Sequence, residues 1–321
     1  MKSADYLEKA SLYLRKAGRS AKKDKITFLC GYSGVLACKA YVAKIHEDYA
    51  KVKDYVERLL KLQTAATRID SGFADELLTG RVGYLYSLMF IRAHVDKSLV
   101  PESLIQLILN NVLILGKSYS NKRDWPLMYE WHDKKYVGAA HGISGILFVL
   151  LMCKEFLTEE NLSKYIRPSI DMLMEQQFPS GNFPSSLPPK DDKLIHWCHG
   201  APGVVHLMLA AYDVFNDSKY LNAAESCGTV TWERGILHKG YGLCHGTAGN
   251  AYVFIKLYQT TKNPKYLYNA VKFSEWCKDY GKHGCRIADR PLSLFEGLAG
   301  TIYFLVDMMD PEHAKFPAFD L

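Results

Sequence analysis

The feature that most constrains the fold of this 321-residue chain is a Gly-x-x-Gly pair that precedes an apolar stretch at six places. The first glycines of successive pairs are 46 to 62 residues apart, and each pair precedes an apolar stretch with helical periodicity. A second, more amphipathic helical stretch fills each interval. Repeated helix pairs of this length predict a repeat architecture rather than two unrelated domains. The pairs are Gly31/Gly34, Gly80/Gly83, Gly142/Gly145, Gly200/Gly203, Gly246/Gly249 and Gly297/Gly300.

The two sets of predicted helices differ in polarity. Those that follow the glycines carry few charges, so we expect them to form an inner layer, whereas the others carry Lys and Glu on one face and should form an outer layer. Predicted inner helices are residues 82–92, 143–153, 204–215, 251–258 and 301–309. Predicted outer helices are residues 49–62, 101–116, 162–177, 219–232 and 266–280.

Strand patterns are nearly absent, so the predicted class is all-α. An open solenoid and a closed ring of two helix layers both satisfy the repeat. The ring is favoured because it would bring the glycine turns, several of which carry reactive side chains, together at one end. We expect residues 1–321 to form this single domain.

The composition is that of a globular protein, with 48% apolar and 23% charged residues. Forty basic residues against 34 acidic ones give a net charge of +6, which is too small to indicate a nucleic-acid partner. The longest apolar run, residues 146–153, is far shorter than the roughly 20 residues of a membrane span. We therefore expect no transmembrane segment, which leaves peripheral membrane association open.

Cysteine usage indicates the compartment. Eight cysteines are scattered along the chain, and no secretory signal pattern precedes them. Such a distribution is not typical of a disulfide framework. We therefore expect the protein in the reducing cytosol.

Two of the six turns share the pattern Cys-His-Gly-x-x-Gly, with Cys198-His199 in one and Cys244-His245 in the other. Each cysteine precedes a predicted helix, where free N–H groups and the helix dipole favour a thiolate. A single turn of this kind is better explained by a small buried cysteine beside a tight bend. Two in the same register indicate a zinc site.

Three long loops lie beside glycine turns. Loops inside a compact domain are usually functional, so we expect these three to form the walls of a pocket. Residues 117–137 contain Trp125, Tyr129 and Trp131, residues 178–195 lead into His196, and residues 282–293 precede the last turn.

The sequence resembles the eukaryotic LanC-like proteins, which are relatives of bacterial lanthionine synthetase cyclases. The stretches that carry this resemblance are residues 26–31, 136–142, 196–203, 239–249, 293–297 and 316–321. The resemblance covers essentially the whole chain and implies an α/α toroid with zinc at its centre. Relatives usually begin with one further glycine-bearing repeat. We therefore expect a ring shortened at its N-terminus, with apolar surface exposed at the open sector.

The resemblance implies one zinc ion per chain, held by Cys198, Cys244 and His245 but not by His199. Three protein ligands leave a position open for substrate, whereas four would make a closed structural site. The bacterial relatives use this chemistry to add a peptide cysteine to dehydroalanine or dehydrobutyrine. The eukaryotic family is associated with glutathione as the thiol.

Further roles follow from the same resemblance. Lys239 and the loop Arg286-Ile287-Ala288-Asp289 fall on the family's glutathione-contacting positions. Arg286 can hold a carboxylate bidentately, and Asp289 can accept the ammonium group. His141 is implied as a general acid or base, because thiol addition creates an enolate that needs a proton. His196, His199 and Glu296 are further candidates for lining the pocket.

The expected function is zinc-dependent activation of the glutathione thiol for addition to electrophiles, chiefly dehydroamino acid residues in peptides. The alternative is a non-catalytic signalling adaptor that binds glutathione and zinc. Both need Cys198, Cys244 and His245, whereas only the enzyme needs His141. A sugar- or isoprenoid-processing toroid is disfavoured because the sequence shows no paired carboxylates for that chemistry.

Overall fold

The structure is a computed structural model that describes residues 3–120 and 125–321. The predicted all-α class is confirmed, because strands among the described residues are limited to the pair Lys135–Tyr136 (β1) and Ser186–Leu187 (β2). Part of the predicted loop over residues 117–137 lies outside the described residues. The helices are α1 Ser3–Ser20, α2 Tyr32–Ile45, α3 Tyr49–Leu60, α4 Thr64–Thr67, α5 Arg81–His94, α6 Glu102–Ser118, α7 Ile143–Met152, α8 Glu159–Asn161, α9 Arg167–Met174, α10 Ala201–Phe215, α11 Ser218–Arg234, α12 Thr247–Thr261, α13 Pro264–Lys278 and α14 Leu298–Asp307.

The helices form the predicted double-layered barrel. The inner layer consists of α2, α5, α7, α10, α12 and α14, and each of these packs against the next in that order. The outer helices α3, α6, α9, α11 and α13 each pack against the inner helix that precedes them. The amphipathic helix α1 packs against α2. No helix within the described ranges is long and apolar enough to cross a membrane.

One predicted outer helix is broken. The pattern predicted a continuous helix over residues 162–177, but a π-helical turn, Leu162–Ile166, precedes α9, and α9 ends at Met174. Pro168 occupies the first turn of α9. It has no backbone N–H to donate to the preceding turn, which disturbs the regular α-helical ladder.

The second glycine of each Gly-x-x-Gly pair permits a close backbone approach. A Cβ at Gly34 would lie 1.9 Å from the Phe28 carbonyl oxygen, and one at Gly203 would lie 2.0 Å from that of Trp197. The same contact, to the carbonyl six residues earlier, recurs in the other four pairs at 1.8 to 2.0 Å. Any side chain there would displace the turn, so the motif fixes how each inner helix is entered.

The two layers begin in different ways. Asp48, Asp217 and Asn263 cap the outer helices α3, α11 and α13 by accepting from a backbone N–H in the first turn. The inner helices begin after glycines that have no capping side chain. Most of them instead donate an early backbone N–H to a carbonyl seven residues back, as Ser144 does to Val137 at 3.1 Å. In α10, the Asn182 side chain takes this role and accepts from Ala201 N at 2.9 Å.

The C-terminal tail fills the space inside the inner layer. Phe316 and Phe319 are fully buried, and Phe316 stacks on Trp197 with ring centroids 5.0 Å apart. The Asp320 carboxylate pairs with Lys256 Nζ at 3.2 Å and lies 3.4 Å from His206 Nδ1. The Tyr86 hydroxyl donates to the Asp320 carbonyl at 2.9 Å. The tail therefore joins α5, α10 and α12 and packs against the residue that precedes Cys198.

Apolar side chains remain exposed on the first and last inner helices. Ile302, Val306 and Met309 form a stripe along α14 and the residues just after it, and Met309 is 84% exposed. Tyr41 and Ile45 of α2 are also exposed. The spacing of the α14 residues places them on one helix face.

Candidate functional site

Backbone hydrogen bonds join the glycine turns to one another. Cys198 N donates to the Cys244 carbonyl at 3.2 Å, and Cys244 N donates to the Phe295 carbonyl at 2.7 Å. Gly138 also lies against the Cys198 carbonyl, where a Cβ would come within 2.0 Å. The turns that carry His141, Cys198 and Cys244 therefore lie side by side at one end of the inner layer.

The structure brings Cys198, Cys244 and His245 together. The two sulfur atoms and one imidazole nitrogen lie within 4.8 Å of one another, and Cys198 is buried. Within the part of the chain that the structure describes, this is the one group of three or more candidate ligands, and it does not include His199. These are the three residues that the resemblance implied as zinc ligands.

The two thiols interact strongly. The hydrogen bond from the Cys244 thiol, assisted by His196 and His245, holds the pKa of Cys198 well below its usual range although burial opposes this. The same hydrogen bond, together with burial, raises the pKa of Cys244, which keeps its proton beside the Cys198 thiolate. Burial lowers the pKa of His199, which favours its neutral form. The cluster thus favours ionisation of one sulfur and protonation of the other.

The donor set fits a zinc ion. Two cysteine sulfurs and one histidine nitrogen are favoured zinc ligands, and three protein ligands leave a fourth position open. Two polar atoms nearby, His199 Nδ1 and Glu296 Oε2, are buried without a hydrogen-bond partner among the described residues. Their residues act electrostatically on Cys198 and Cys244 respectively. Buried polar atoms without partners are typical of a site that takes a ligand or ordered water.

His141 is held by a buried carboxylate. Its Nδ1 lies 3.0 Å from Glu76 Oε2, and the Glu76 side chain is only 2% exposed. Glu76 also accepts from Leu78 N at 2.7 Å and from Thr79 N at 2.5 Å, so its own orientation is fixed. With Nδ1 on the carboxylate, Nε2 is the ring nitrogen left for substrate. The charge of His141 acts on His199, which places it beside the cysteine cluster.

Glu76 was not among the residues singled out from the sequence. The candidates Cys198, His141 and Glu296 lie one or two positions before the first glycine of their pair, whereas Glu76 lies four before Gly80. A glutamate at such a position is usually a surface residue. Only the fold identifies Glu76 as a site residue, because it places the turn of Glu76 beside the turn that carries His141.

The residues predicted to bind glutathione lie on two adjoining segments. Arg286 N donates to the His238 carbonyl at 2.8 Å, which places the 286–289 loop next to Lys239. Lys239 is exposed, and its positive charge acts on both His199 and Cys244. Arg286 pairs with Asp289 at 2.5 Å, so the charges of these two predicted glutathione-binding residues balance each other in the free protein.

The other two loop residues differ in exposure. Ile287 is 81% exposed, and Ala288 is partly buried. Behind them, the loop is anchored by His283, whose ring stacks on Trp276 with centroids 3.5 Å apart. The loop therefore has a fixed base and an accessible tip.

The aromatic residues of the predicted loop over residues 117–137 do not all lie near His141. Trp131 and Tyr136 lie at the site, with ring centroids 3.9 Å and 6.2 Å from that of His141. Tyr129 is instead buried in the core, where its hydroxyl donates to the Val112 carbonyl at 3.2 Å. It packs against α6 because Gly116 leaves room for its ring there.

Comparison with known proteins agrees with this fold. The chain matches the model of the family "Lanthionine synthetase C-like protein" over residues 1–321. It is 43% identical over 320 residues to a Danio rerio protein named Glutathione S-transferase LANCL1, with 98% of this chain and 79% of that relative covered. Nisin cyclase has a similar structure, with a TM-score of 0.59 at 16% identity over 96% of this chain and 94% of its own. At that identity the likeness shows the fold alone. The chain therefore belongs to the lanthionine synthetase C-like family.

Proposed function

We propose that this protein is a cytosolic enzyme that adds glutathione to electrophiles, chiefly dehydroalanine or dehydrobutyrine residues in peptides, and that it depends on zinc. The observation that carries the proposal is the placement of an incomplete zinc ligand set next to a histidine–carboxylate pair. A relative 43% identical is named a glutathione S-transferase, which supports glutathione as the thiol.

Zinc would be held by Cys198, Cys244 and His245, and when bound it supplies Lewis acidity that lowers the pKa of a thiol at its open position. Two cysteinate ligands balance the metal's charge, which keeps that thiol nucleophilic. Glutathione has two carboxylates and one ammonium group. Lys239 and Arg286 would take the carboxylates and Asp289 the ammonium, so glutathione would replace the internal Arg286–Asp289 pair.

His141 would move the proton. Its Nε2 takes the thiol proton while the Glu76 carboxylate, on Nδ1, stabilises the resulting imidazolium. The sulfur then bonds to the substrate's Cβ, and the electron pair of the C=C bond moves to the carbonyl oxygen as an enolate. His141 returns the proton to Cα. The balance is one thiol plus one alkene giving one thioether, with no leaving group and no redox change.

The test measures addition of glutathione to a dehydroalanine peptide by mass spectrometry. His141→Asn keeps a side chain of similar size but cannot transfer the proton, so turnover should fall by about 10²- to 10⁴-fold. Zinc content and glutathione affinity should stay at their original values, since His141 is not proposed as a ligand. Equal turnover with Asn at position 141 would contradict the proposed role. A folded parent protein that binds zinc and glutathione but adds it to no electrophile would instead favour the adaptor.

A further inference from the structure

Trp131 covers one face of the His141 imidazole. The two ring centroids are 3.9 Å apart and the ring planes differ by only 3°. Tyr136 is farther away, at 6.2 Å and tilted by 53°. The indole is therefore the group that restricts the plane of the imidazole, while Glu76 fixes only one of its edges.

Trp131 is the first residue of a tight turn. Trp131 N donates to the Lys134 carbonyl at 3.0 Å, and Lys134 N donates back to the Trp131 carbonyl at 3.2 Å. The two residues between them, His132 and Asp133, have φ angles of 48° and 57°. They are the one place in the described ranges where two consecutive non-glycine residues have positive φ. Positive φ at both central residues is the conformation preferred in two-residue hairpin turns, and His and Asp adopt it more readily than most residues with a Cβ.

Strand pairing next to the turn also holds it in place. It leads directly into β1, which pairs antiparallel with β2 from the loop over residues 178–195. His132 and Asp133 themselves are exposed, and His132 only touches the edge of the Trp131 ring, with centroids 4.2 Å apart. Neither of these two side chains is buried, so the turn meets the site through Trp131. The position of the Trp131 side chain is what the turn secures.

We propose that Trp131 is a positioning residue that holds the His141 ring in the orientation needed for proton transfer; this inference rests on the proposed function. A ring held by one hydrogen bond can still tilt about that bond, which would swing Nε2 away from the substrate. A parallel indole at van der Waals distance removes this freedom before substrate arrives. Orientation of this kind contributes to the rate itself rather than to the affinity for substrate.

The experiment compares Trp131→Ala with Trp131→Phe and with Trp125→Ala. Trp125 was expected in the same pocket wall, but it lies beside Met128 and Pro188 and not beside His141, so it is the matched control. Trp131→Ala should lower kcat by up to about 10²-fold, the cost of a misplaced group, with KM for glutathione and zinc content unchanged. Trp131→Phe keeps an aromatic face and should recover most of kcat. Trp125→Ala should have the kcat of the original protein.

A second variant leaves the indole in the chain and disturbs only its support. Proline at position 132 requires φ near −65°, so His132→Pro cannot form the turn and should lower kcat as Trp131→Ala does. His132 is exposed, so this variant tests the inference even where Trp131→Ala fails to fold. Original kcat in both variants, in a protein whose His141→Asn form is inactive, would overturn the inference and leave the proposed function intact. A fully active His141→Asn form would overturn the proposed function itself.

Discussion

At the scale of single residues, the site depends on two thiols that cannot both ionise without compensation. Their proximity lowers the pKa of Cys198 and raises that of Cys244, which favours ionisation of only one of the two sulfurs. A divalent cation at this position would replace the shared proton and allow both sulfurs to ionise. The pair is therefore arranged for a metal rather than for two independent nucleophiles.

Metal content distinguishes the members of the cluster. Cys244→Ala removes one of three ligands and should abolish binding of one zinc per chain. His199→Ala should leave that stoichiometry unchanged, because His199 lies outside the group of converging ligand atoms. Elemental analysis of the dialysed proteins provides the measurement. Equal loss in both variants would indicate a closed four-ligand structural site and contradict the catalytic proposal.

Site residues could be recognised from the sequence where they belong to a repeated motif, but not where they occur once. Cys198 and Cys244 could be found because two turns carry the same side chains in the same register. Glu76 could not, because its role depends on a contact with His141 across 65 positions of the chain. Tyr129 was placed in a pocket wall by its loop, although Gly116 draws it into the core.

At the scale of elements, the repeat was predictable because its cause is local. Each inner helix needs a glycine where the backbone passes over a carbonyl, and that requirement appears in the sequence as a fixed spacing. The broken outer helix was not foreseen, since its apolar periodicity continues through Pro168. The pairing of helices and the order of the layers could be predicted from the repeat. The residues at which helices begin and end could not, because they depend on individual side chains such as Asn182.

A pair of glycine variants tests the origin of the motif. Gly34→Ala would place a methyl group 1.9 Å from the Phe28 carbonyl oxygen, and we expect it to destabilise the protein by about 1–3 kcal/mol. Gly18→Ala in α1 meets only the end of the flexible Lys39 side chain, so its better helix propensity should add up to about 1 kcal/mol. Urea unfolding measures both free energies. Equal effects of the two substitutions would show that backbone approach is not the reason for Gly34.

The glutathione loop gives a prediction about affinity. Arg286→Ala should weaken glutathione binding by roughly 1.5–3 kcal/mol, the range for a charged hydrogen bond. The loss should lie toward the lower end, because the free protein already pairs Arg286 with Asp289. Arg290→Ala, an exposed position of the same loop, is the control and should bind normally. Calorimetric titration measures the affinity for glutathione. An unchanged affinity in Arg286→Ala would show that the loop is not part of the glutathione site.

At the scale of the whole molecule, the tail is the element that connects distant helices. Burial opposes ionisation of Asp320, but Lys256 and His206 more than compensate and hold its pKa below its usual range. The folded protein therefore binds this proton less tightly than the unfolded chain, in which the pKa is about 3.9. The ionised carboxylate stabilises the fold above that pH, and this contribution is lost as the pH falls below it.

Asp320→Asn should therefore destabilise the protein at neutral pH by roughly 3–5 kcal/mol, because it leaves the partly buried ammonium group of Lys256 without its partner. The difference from the original protein should shrink as the pH falls below about 4. Asp310→Asn is the control, since Asp310 is exposed and pairs with the exposed His313. Unfolding free energies across this pH range provide the measurement. A difference that is constant with pH would show that packing, and not charge, anchors the tail.

The bond between the Tyr86 hydroxyl and the Asp320 carbonyl joins positions 234 residues apart. Contacts this distant form slowly, because the entropy of closing the chain is lost before they contribute. A ribosome that adds about 5–20 residues per second completes α5 at least about ten seconds before it reaches Asp320. During that interval the apolar lining of the inner layer, including Trp197 once it is made, has no tail to cover it. Each newly made chain therefore passes through a period in which its future centre is open to chaperones and to neighbouring chains.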